Sequence, residues 1–406
     1  MDVSTAPFSD ALERARRIHA EEIVMDSLAP TFTCEMMLTP AMVDLARSLQ
    51  RQGESRSVIR TALAEHLIES AASDATTREA YLAYWRRAGV TAASCTLYDA
   101  GPPERAWDDA LTELARGHRL LQALQDSFLL GDSAAAVERA HRERRHAVIF
   151  NLQNAEPIGE RFDRLEILYN LGLRIVQPAY NLRNRFADGC VERCDGGLSR
   201  LGEALVERLN RRRVLIDLSH CSDRTTMDVI AASRAPVAFT HTSARALSQH
   251  ARGKTDEALR AIAERGGYVG VLIVPFFLLP PGSDGRSRKP DLPAGWATLD
   301  TVMDHVVHIM DLVGSDCVGI GTDWGKPYYT ALRWSAGMVR EETSSFDWVG
   351  WRSQDRFDPN LQTWELESWD LWPNLTAALL QRGIPETTVV KIVGGNFLRI
   401  FREVCG

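Results

Sequence analysis

The sequence predicts a (β/α)8 barrel of the TIM type, and three observations predict it. Eight apolar runs of strand length recur along the 406 residues, with helical patterns between them. The runs are continuously apolar rather than alternating, which implies burial on both faces, as in a parallel sheet covered by helices. Several of the runs finish on a side chain that can ligate a metal or move a proton. The C-terminal ends of barrel strands are where such enzymes keep their chemistry.

In chain order the runs are EIVMDS (22–27), VTAASCTLY (90–98), HAVIFNLQN (146–154), LRIVQPAYN (173–181), RVLIDLSH (213–220), PVAFTH (236–241), YVGVLIV (268–274) and CVGIGTD (317–323). Between them, stretches such as RLGEALVERLNRR (200–212) and TDEALRAIAERGG (255–267) carry apolar residues at helical spacing. Two stretches exceed the plain barrel. Residues 28–89 read as a helical insertion after the first strand. Residues 324–372 hold seven of the ten tryptophans (324, 334, 348, 351, 364, 369 and 372), and read as a loop segment with its own small core or as a lid over the mouth. The whole of 1–406 is expected to be one domain.

Bulk properties narrow the function. A net charge of −7 with no basic stripe argues against a nucleic-acid partner. The charged N-terminal stretch lacks the apolar core of a signal peptide, and the longest apolar run, 268–281, is short and broken by prolines, so no membrane association is expected. Seven scattered cysteines, an odd number, fit a reduced, cytoplasmic protein.

The chemistry lies at the run ends. His220 and His241 each close an apolar run, and Glu156 follows a third. Two imidazoles and a carboxylate match the three-ligand sets that hold catalytic zinc or iron with an open position. Asp323 closes the last run. Beside a metal it would serve as general base and then general acid; the alternative is a structural carboxylate capping the next loop. Arg252, eleven residues after His241, suits a substrate carboxylate, with a solvated loop charge as its alternative.

With these residues in view, the chain resembles the membrane (renal) dipeptidase family, zinc peptidases of the amidohydrolase superfamily. The similarity is carried by NLQNAEPIG around Glu156, LGLRIVQPAYNLRNRFADG (171–189), NRRRVLIDLSHCSD (210–223), PVAFTHTSARAL (236–247), HARGKTDEAL (250–259) and RGIPETTVVKIVGGNFLRIF (382–401). The resemblance implies a barrel whose two zinc ions share a glutamate, matched by Glu156, and a bridging hydroxide that attacks the peptide bond of a dipeptide. It implies His220 and His241 as ligands of the second zinc, Asp323 as the proton shuttle, and Arg252 as the residue that holds the substrate carboxylate. Tyr180 stands where the mammalian enzymes have a histidine that polarises the carbonyl, and a phenol can donate to an oxyanion in the same way. Homodimers are common in the family.

The first strand departs from the family's Asp-Gly-His-x-Asp. Here it reads Asp26-Ser27-Leu28-Ala29-Pro30, so Leu28 and Pro30 stand where ligands of the first zinc are expected. A register shift would bring Asp26 inward, with Val24 at the histidine position. Asp26 and Asp323 are therefore additional candidate ligands in an all-oxygen set. One zinc per chain is expected rather than two, with iron or manganese as alternatives. The expected activity is hydrolysis of a dipeptide or small amide bearing a free carboxylate. The alternatives are a metal-dependent tailoring enzyme with non-peptidase chemistry and a non-catalytic binding homologue.

Overall fold

Residues that predict buried strands form them, and in the predicted order. The computed structural model describes residues 6–326, 332 and 346–406. The strands are β1 (Met25–Ala29), β2 (Ala92–Tyr98), β3 (Phe128–Leu130), β4 (His146–Leu152), β5 (Leu173–Val176) and β6 (Leu215–Ile216), then β7 (Ala238–Thr242), β8 (Tyr268–Val271), β9 (Ala297–Thr298), β10 (Val318–Ile320) and β11 (Thr363–Trp364). All of their pairings are parallel among the described residues. One sheet runs β1-β2-β4-β5-β6 and a second runs β10-β8-β7. Two seams join them. At one, Asp217 bridges to Ala238 in parallel and the Leu218 N–H donates to the Ala238 carbonyl at 2.8 Å. At the other, the Asp323 N–H donates to the Leu28 carbonyl at 2.8 Å. The eight expected strands thus close into a barrel.

The differences from expectation are local. The first strand is Met25–Ala29 rather than 22–27, so Asp26 lies near its start. The fourth and fifth end early as regular strands, but their pairing continues: the Gln177 N–H donates to the Leu152 carbonyl and the Asp217 N–H to the Val176 carbonyl. β3, three residues too short to show a period, pairs with the first residues of β4.

One end of the barrel is plugged. The C-terminal helix Asn396–Cys405 sends Phe397, Ile400 and Phe401 into a cluster with Met25, Ala92, Ile149, Ile175, Leu215, Ala238 and Tyr268, residues from near the starts of the strands. Each buried aromatic there contributes several kcal/mol by the usual cost of its truncation, about 3–5 kcal/mol. Close packing continues upward. A Cβ at Gly321 would lie 1.9 Å from the Thr240 carbonyl oxygen, so only glycine lets β10 pass β7 there. With the lower end filled, the open mouth lies at the C-terminal ends of the strands.

Residues 28–89 contain three helices, Pro40–Arg51, Arg56–Ser73 and Ala75–Ala88, capped by the side chains of Thr39, Ser55 and Asp74. The described part of 324–372 docks on the barrel. The Thr363 hydroxyl donates to the Ile273 carbonyl at 2.6 Å, and the indole N–H of Trp324 donates to the Leu361 carbonyl at 3.0 Å. Trp369 and Trp372 are buried against the barrel, while Trp334 lies outside the described residues. No described helix is long and apolar enough to cross a membrane.

Candidate active site

His220 and His241 meet at the mouth, their Nε2 atoms 3.0 Å apart. The other ring nitrogen of each is held. Nδ1 of His220 lies 2.6 Å from Oδ1 of Asn181, whose amide nitrogen donates to the Val349 carbonyl at 2.8 Å and so turns its oxygen toward the imidazole. Nδ1 of His241 lies 2.8 Å from Oγ1 of Thr240, and that hydroxyl donates onward to Oδ2 of Asp217 at 2.7 Å. Both partners must therefore accept, which assigns the proton to Nδ1 in each ring and leaves the lone pair on Nε2.

Burial, reinforced by the nearby Arg252 guanidinium, holds both imidazoles well below their ordinary pKa, so both are neutral near pH 7. Two lone pairs facing each other at this distance repel unless a cation or a proton sits between them. That arrangement is the one in which metal-ligating histidines are oriented by acceptors behind them.

Tyr180 stacks on His220, ring centroids 4.0 Å apart at 28°. Burial first, then the charges of Asp99 and Asp323, push its phenol well above the ordinary range, so it remains an O–H donor. Asp323 sits in the left-handed region at φ 58°, a conformation that Asp tolerates better than most residues. Burial raises its pKa, with Lys326 and Arg252 opposing. Tyr180, His220 and Asp323 line one cavity of about 90 Å3, open to solvent.

The remaining predicted residues are placed differently. Glu156 does not join the histidines. Its Oε1 accepts from Nε and Nη2 of Arg185 at 2.9 and 2.5 Å, and it opens on a neighbouring cavity that shares Tyr180 with the first. Arg252 is fully buried, and its Nη1 and Nη2 donate to the Ser219 and His241 carbonyls at 2.5 and 2.6 Å. Asp26 accepts at Oδ2 from the Thr322 hydroxyl (2.6 Å) and the indoles of Trp369 (2.8 Å) and Trp372 (3.1 Å), and at Oδ1 from the Thr322 and Leu28 N–H groups. Leu28 is buried and offers its carbonyl to Asp323. Among the described residues, no three His, Cys, Asp or Glu side chains converge on a point that would hold a metal.

Sequence reasoning missed a second group in this cavity. Glu35, 1% exposed, accepts from the Thr31 hydroxyl at 2.9 Å and pairs with Lys326 (3.0 Å), Arg56 (3.4 Å) and Arg60 (3.5 Å). Burial pushes its pKa up, but the three cations outweigh that and hold it well below the ordinary range. Asn181, Asp217 and Thr240 were also missed. Their signal is a polar side chain inside an otherwise apolar run, as in LRIVQPAYN and RVLIDLSH.

The profile of the membrane dipeptidase family (peptidase family M19) matches residues 12–332. The chain belongs to this family. Among curated relatives, the dipeptidase tcpJ of Claviceps purpurea (strain 20.1) is 28% identical over 298 residues, 73% of this chain and 60% of its own. The dipeptidase verJ of Clonostachys rogersoniana is 29% identical over 289 residues, 71% of this chain and 63% of its own. The matches thus span less than two thirds of those relatives. An amidohydrolase of known structure from Pseudomonas aeruginosa superimposes with a TM-score of 0.71 at 26% identity, covering 96% of this chain and 98% of that one.

Membership in this family implies a metal, and the residues present fit only part of that requirement. A two-metal centre does not fit. Leu28 and Pro30 supply no ligand, Asp26 is saturated by donors, and Glu156 is satisfied by Arg185 rather than left open. The His220–His241 pair fits as two ligands of a single ion, its Nε2 lone pairs supplying part of the donor set that such an ion requires.

Proposed function

We propose that the chain is a dipeptidase-like hydrolase that cleaves the amide bond of a dipeptide or of a small N-acyl amino acid with a free carboxylate, using at most one metal per chain. One observation carries the reading: the neutral His220 and His241 direct their Nε2 lone pairs at one another across 3.0 Å, beside a cavity that also holds Asp323 and Tyr180.

A metal ion here would be held by His220 and His241 and would supply the acidity that activates a water. The chain's own groups do the rest. Asp323, ionised, accepts the proton of the attacking water and returns it to the leaving amine. Tyr180, protonated throughout the working range, donates to the carbonyl oxygen as negative charge develops there. Arg252, tied to two main-chain carbonyls, fixes the backbone at Ser219 and His241 and so aims the imidazoles. The low exposure of the two histidines keeps bulk water from competing at that end.

Elemental analysis of purified wild type and of His220→Ala tests the reading, together with a panel of dipeptides and N-acyl amino acids. Near one zinc per chain, lost in the variant, with cleavage of at least one panel member, is the expected outcome. Two metals per chain would mean that Glu156 leaves Arg185 and would overturn the single-ion reading. No metal after reconstitution, with no turnover, would sink the hydrolase.

A further inference from the structure

One side of the active-site cavity is apolar, and the reaction does not call on it. Tyr180, His220 and Asp323 share that cavity with Val274, Phe276, Phe277, Val349, Trp351 and Phe357. The first three of these six follow β8 and are buried in the core. Val349, Trp351 and Phe357 come from the segment after β10 and are only half-buried. Their rings are fitted to one another. Trp351 and Phe357 stack at 6.2 Å and 11°, Trp351 meets Phe277 at 5.1 Å, and Phe357 meets Phe276 at 5.2 Å. Rings that served packing alone would be covered, as Trp369 and Trp372 of the same segment are, at 2% and 1% exposed. Trp351 and Phe357 instead keep an open apolar face beside the catalytic groups, the mark of a ligand surface.

The wall is held in place before any ligand arrives. Arg352 closes its turn by donating twice to Asp355, at 2.9 Å each. Arg356 donates to the Leu279 carbonyl at 2.8 Å. His250 accepts the Arg252 N–H at Nδ1 (3.0 Å), so its Nε2 carries the proton and donates to the Asp355 carbonyl at 2.9 Å. The Val349 carbonyl takes the amide of Asn181, the residue that orients His220. The segment is thus tied to the loops after β7 and β8 and to the site itself, so little ordering remains to oppose binding. The match to the family's profile ends at residue 332, and Val349, Trp351 and Phe357 lie beyond it. Membership of the family does not account for them.

We infer that Trp351 and Phe357, with Val349 beside them and Phe276 and Phe277 behind, receive a large apolar side chain of the substrate, on the residue that bears the carboxylate. This rests on the hydrolase reading for the kind of molecule bound, but it concerns the side chain alone. Phe277 fixes which end of the substrate lies here. Its ring centroid is 5.8 Å from the guanidinium carbon of Arg252, whose Nε has no hydrogen-bond partner among the described residues. A carboxylate drawn toward that cation leaves the side chain of the same residue against Phe277 and Trp351. The substrate class is then a dipeptide or N-acyl amino acid whose carboxylate-bearing residue is aromatic or a large aliphatic one. Trp351 and Phe357 are its specificity-determining residues.

The test is equilibrium titration of the full chain with N-methanesulfonylphenylalanine and N-methanesulfonylalanine, both enantiomers of each, because a sulfonamide is not cleaved as an amide is. The phenylalanine probe is expected to bind at least about tenfold tighter than the alanine probe, a gain within reach of burying its ring. Trp351→Ala and Phe357→Ala are each expected to cut that preference by about threefold or more. If either loses the wild-type circular dichroism spectrum, Val349→Asn, which makes a half-buried part of the wall polar, takes its place with the same expectation. Equal binding of the two probes, or no binding of either, overturns the inference. So does a loss in the variants that falls equally on both probes, since that is what a merely structural role would give. Because titration reads binding, a chain that shows the preference but cleaves no dipeptide would refute the hydrolase while leaving this subsite standing. Cleavage with no gain from phenylalanine over alanine would do the reverse.

Discussion

Replacing Asp26 by asparagine tests whether its carboxylate is a buried structural acceptor. Asp26 is fully buried, and burial pushes its pKa from 3.8 to about 6 although Thr322, Trp369 and Trp372 donate to it. Its folded value lies above its unfolded value, so its contribution to stability is fully present below about pH 4 and is lost as pH rises through about 6. The shift is roughly two units, worth about 3 kcal/mol at 1.36 kcal/mol per unit. The Asp26→Asn side chain has no such titration. It also turns an amide N–H₂ toward donors that the carboxylate accepts, so the variant is expected to be less stable than wild type at every pH.

The decisive quantity is the difference between the two proteins. The stability gap between wild type and Asp26→Asn should narrow by about 2–3 kcal/mol between pH 4 and pH 7, most of the change falling between pH 4 and 6. Guanidinium unfolding at several pH values, followed by the fluorescence of Trp369 and Trp372, measures it. A gap constant to within about 0.5 kcal/mol would refute the assignment, because a carboxylate with an ordinary folded pKa produces no such slope.

Three further outcomes follow from the same geometry. Thr240→Val keeps the shape of the side chain but removes the acceptor behind His241, and metal affinity is expected to fall about 10–100-fold, read by competition with a chromogenic chelator. Asp323→Asn should lower kcat by about 10²–10⁴ and abolish the acid limb of the pH profile. In wild type that limb should lie above the ordinary Asp range, because burial raises the Asp323 pKa and activity is lost as pH falls through it. Phe401→Ala, in the plug beneath the barrel, should cost about 3–5 kcal/mol in denaturant unfolding; a loss below about 1 kcal/mol would mean that the helix end does not fill the barrel floor.

The barrel was legible because parallel strands buried on both faces leave unbroken apolar runs, and because His220, His241 and Asp323 stand at the ends of such runs. β3 was not legible, since three residues show no period. The strand ends were overextended where pairing passes to irregular backbone, as at Gln177 and Asp217. The Glu35 cluster was invisible for a different reason. Its members are 21, 25 and 291 residues from Glu35 in sequence, on a loop and a helix whose patterns report only helicity. Arg252 could be recognised as a residue of the site, but the destination of its donors depends on where the Ser219 and His241 carbonyls point, which no spacing encodes.

The change at the first strand and the arrangement around Glu156 form one electrostatic problem. A carboxylate as buried as Glu156 or Asp26 needs a counter-charge or a full set of donors, since an isolated buried charge costs several kcal/mol. Leu28 and Pro30, at the ligand positions of the first strand, offer no side-chain ligand through which a second ion could supply the charge. The chain meets the need from its own residues. Glu156 takes the Arg185 guanidinium through two N–H groups, and Asp26 takes two indole N–H groups and Thr322. Each replacement is specific to the carboxylate it serves, so restoring a histidine at Leu28 would not by itself rebuild a two-metal centre. Arg185 would still occupy Glu156, and Trp369 and Trp372 would still hold Asp26. Only a combined Leu28→His, Pro30→Asp, Arg185→Ala variant removes the substitute charge while returning ligands, and a second metal per chain should appear in that variant and not in Leu28→His alone.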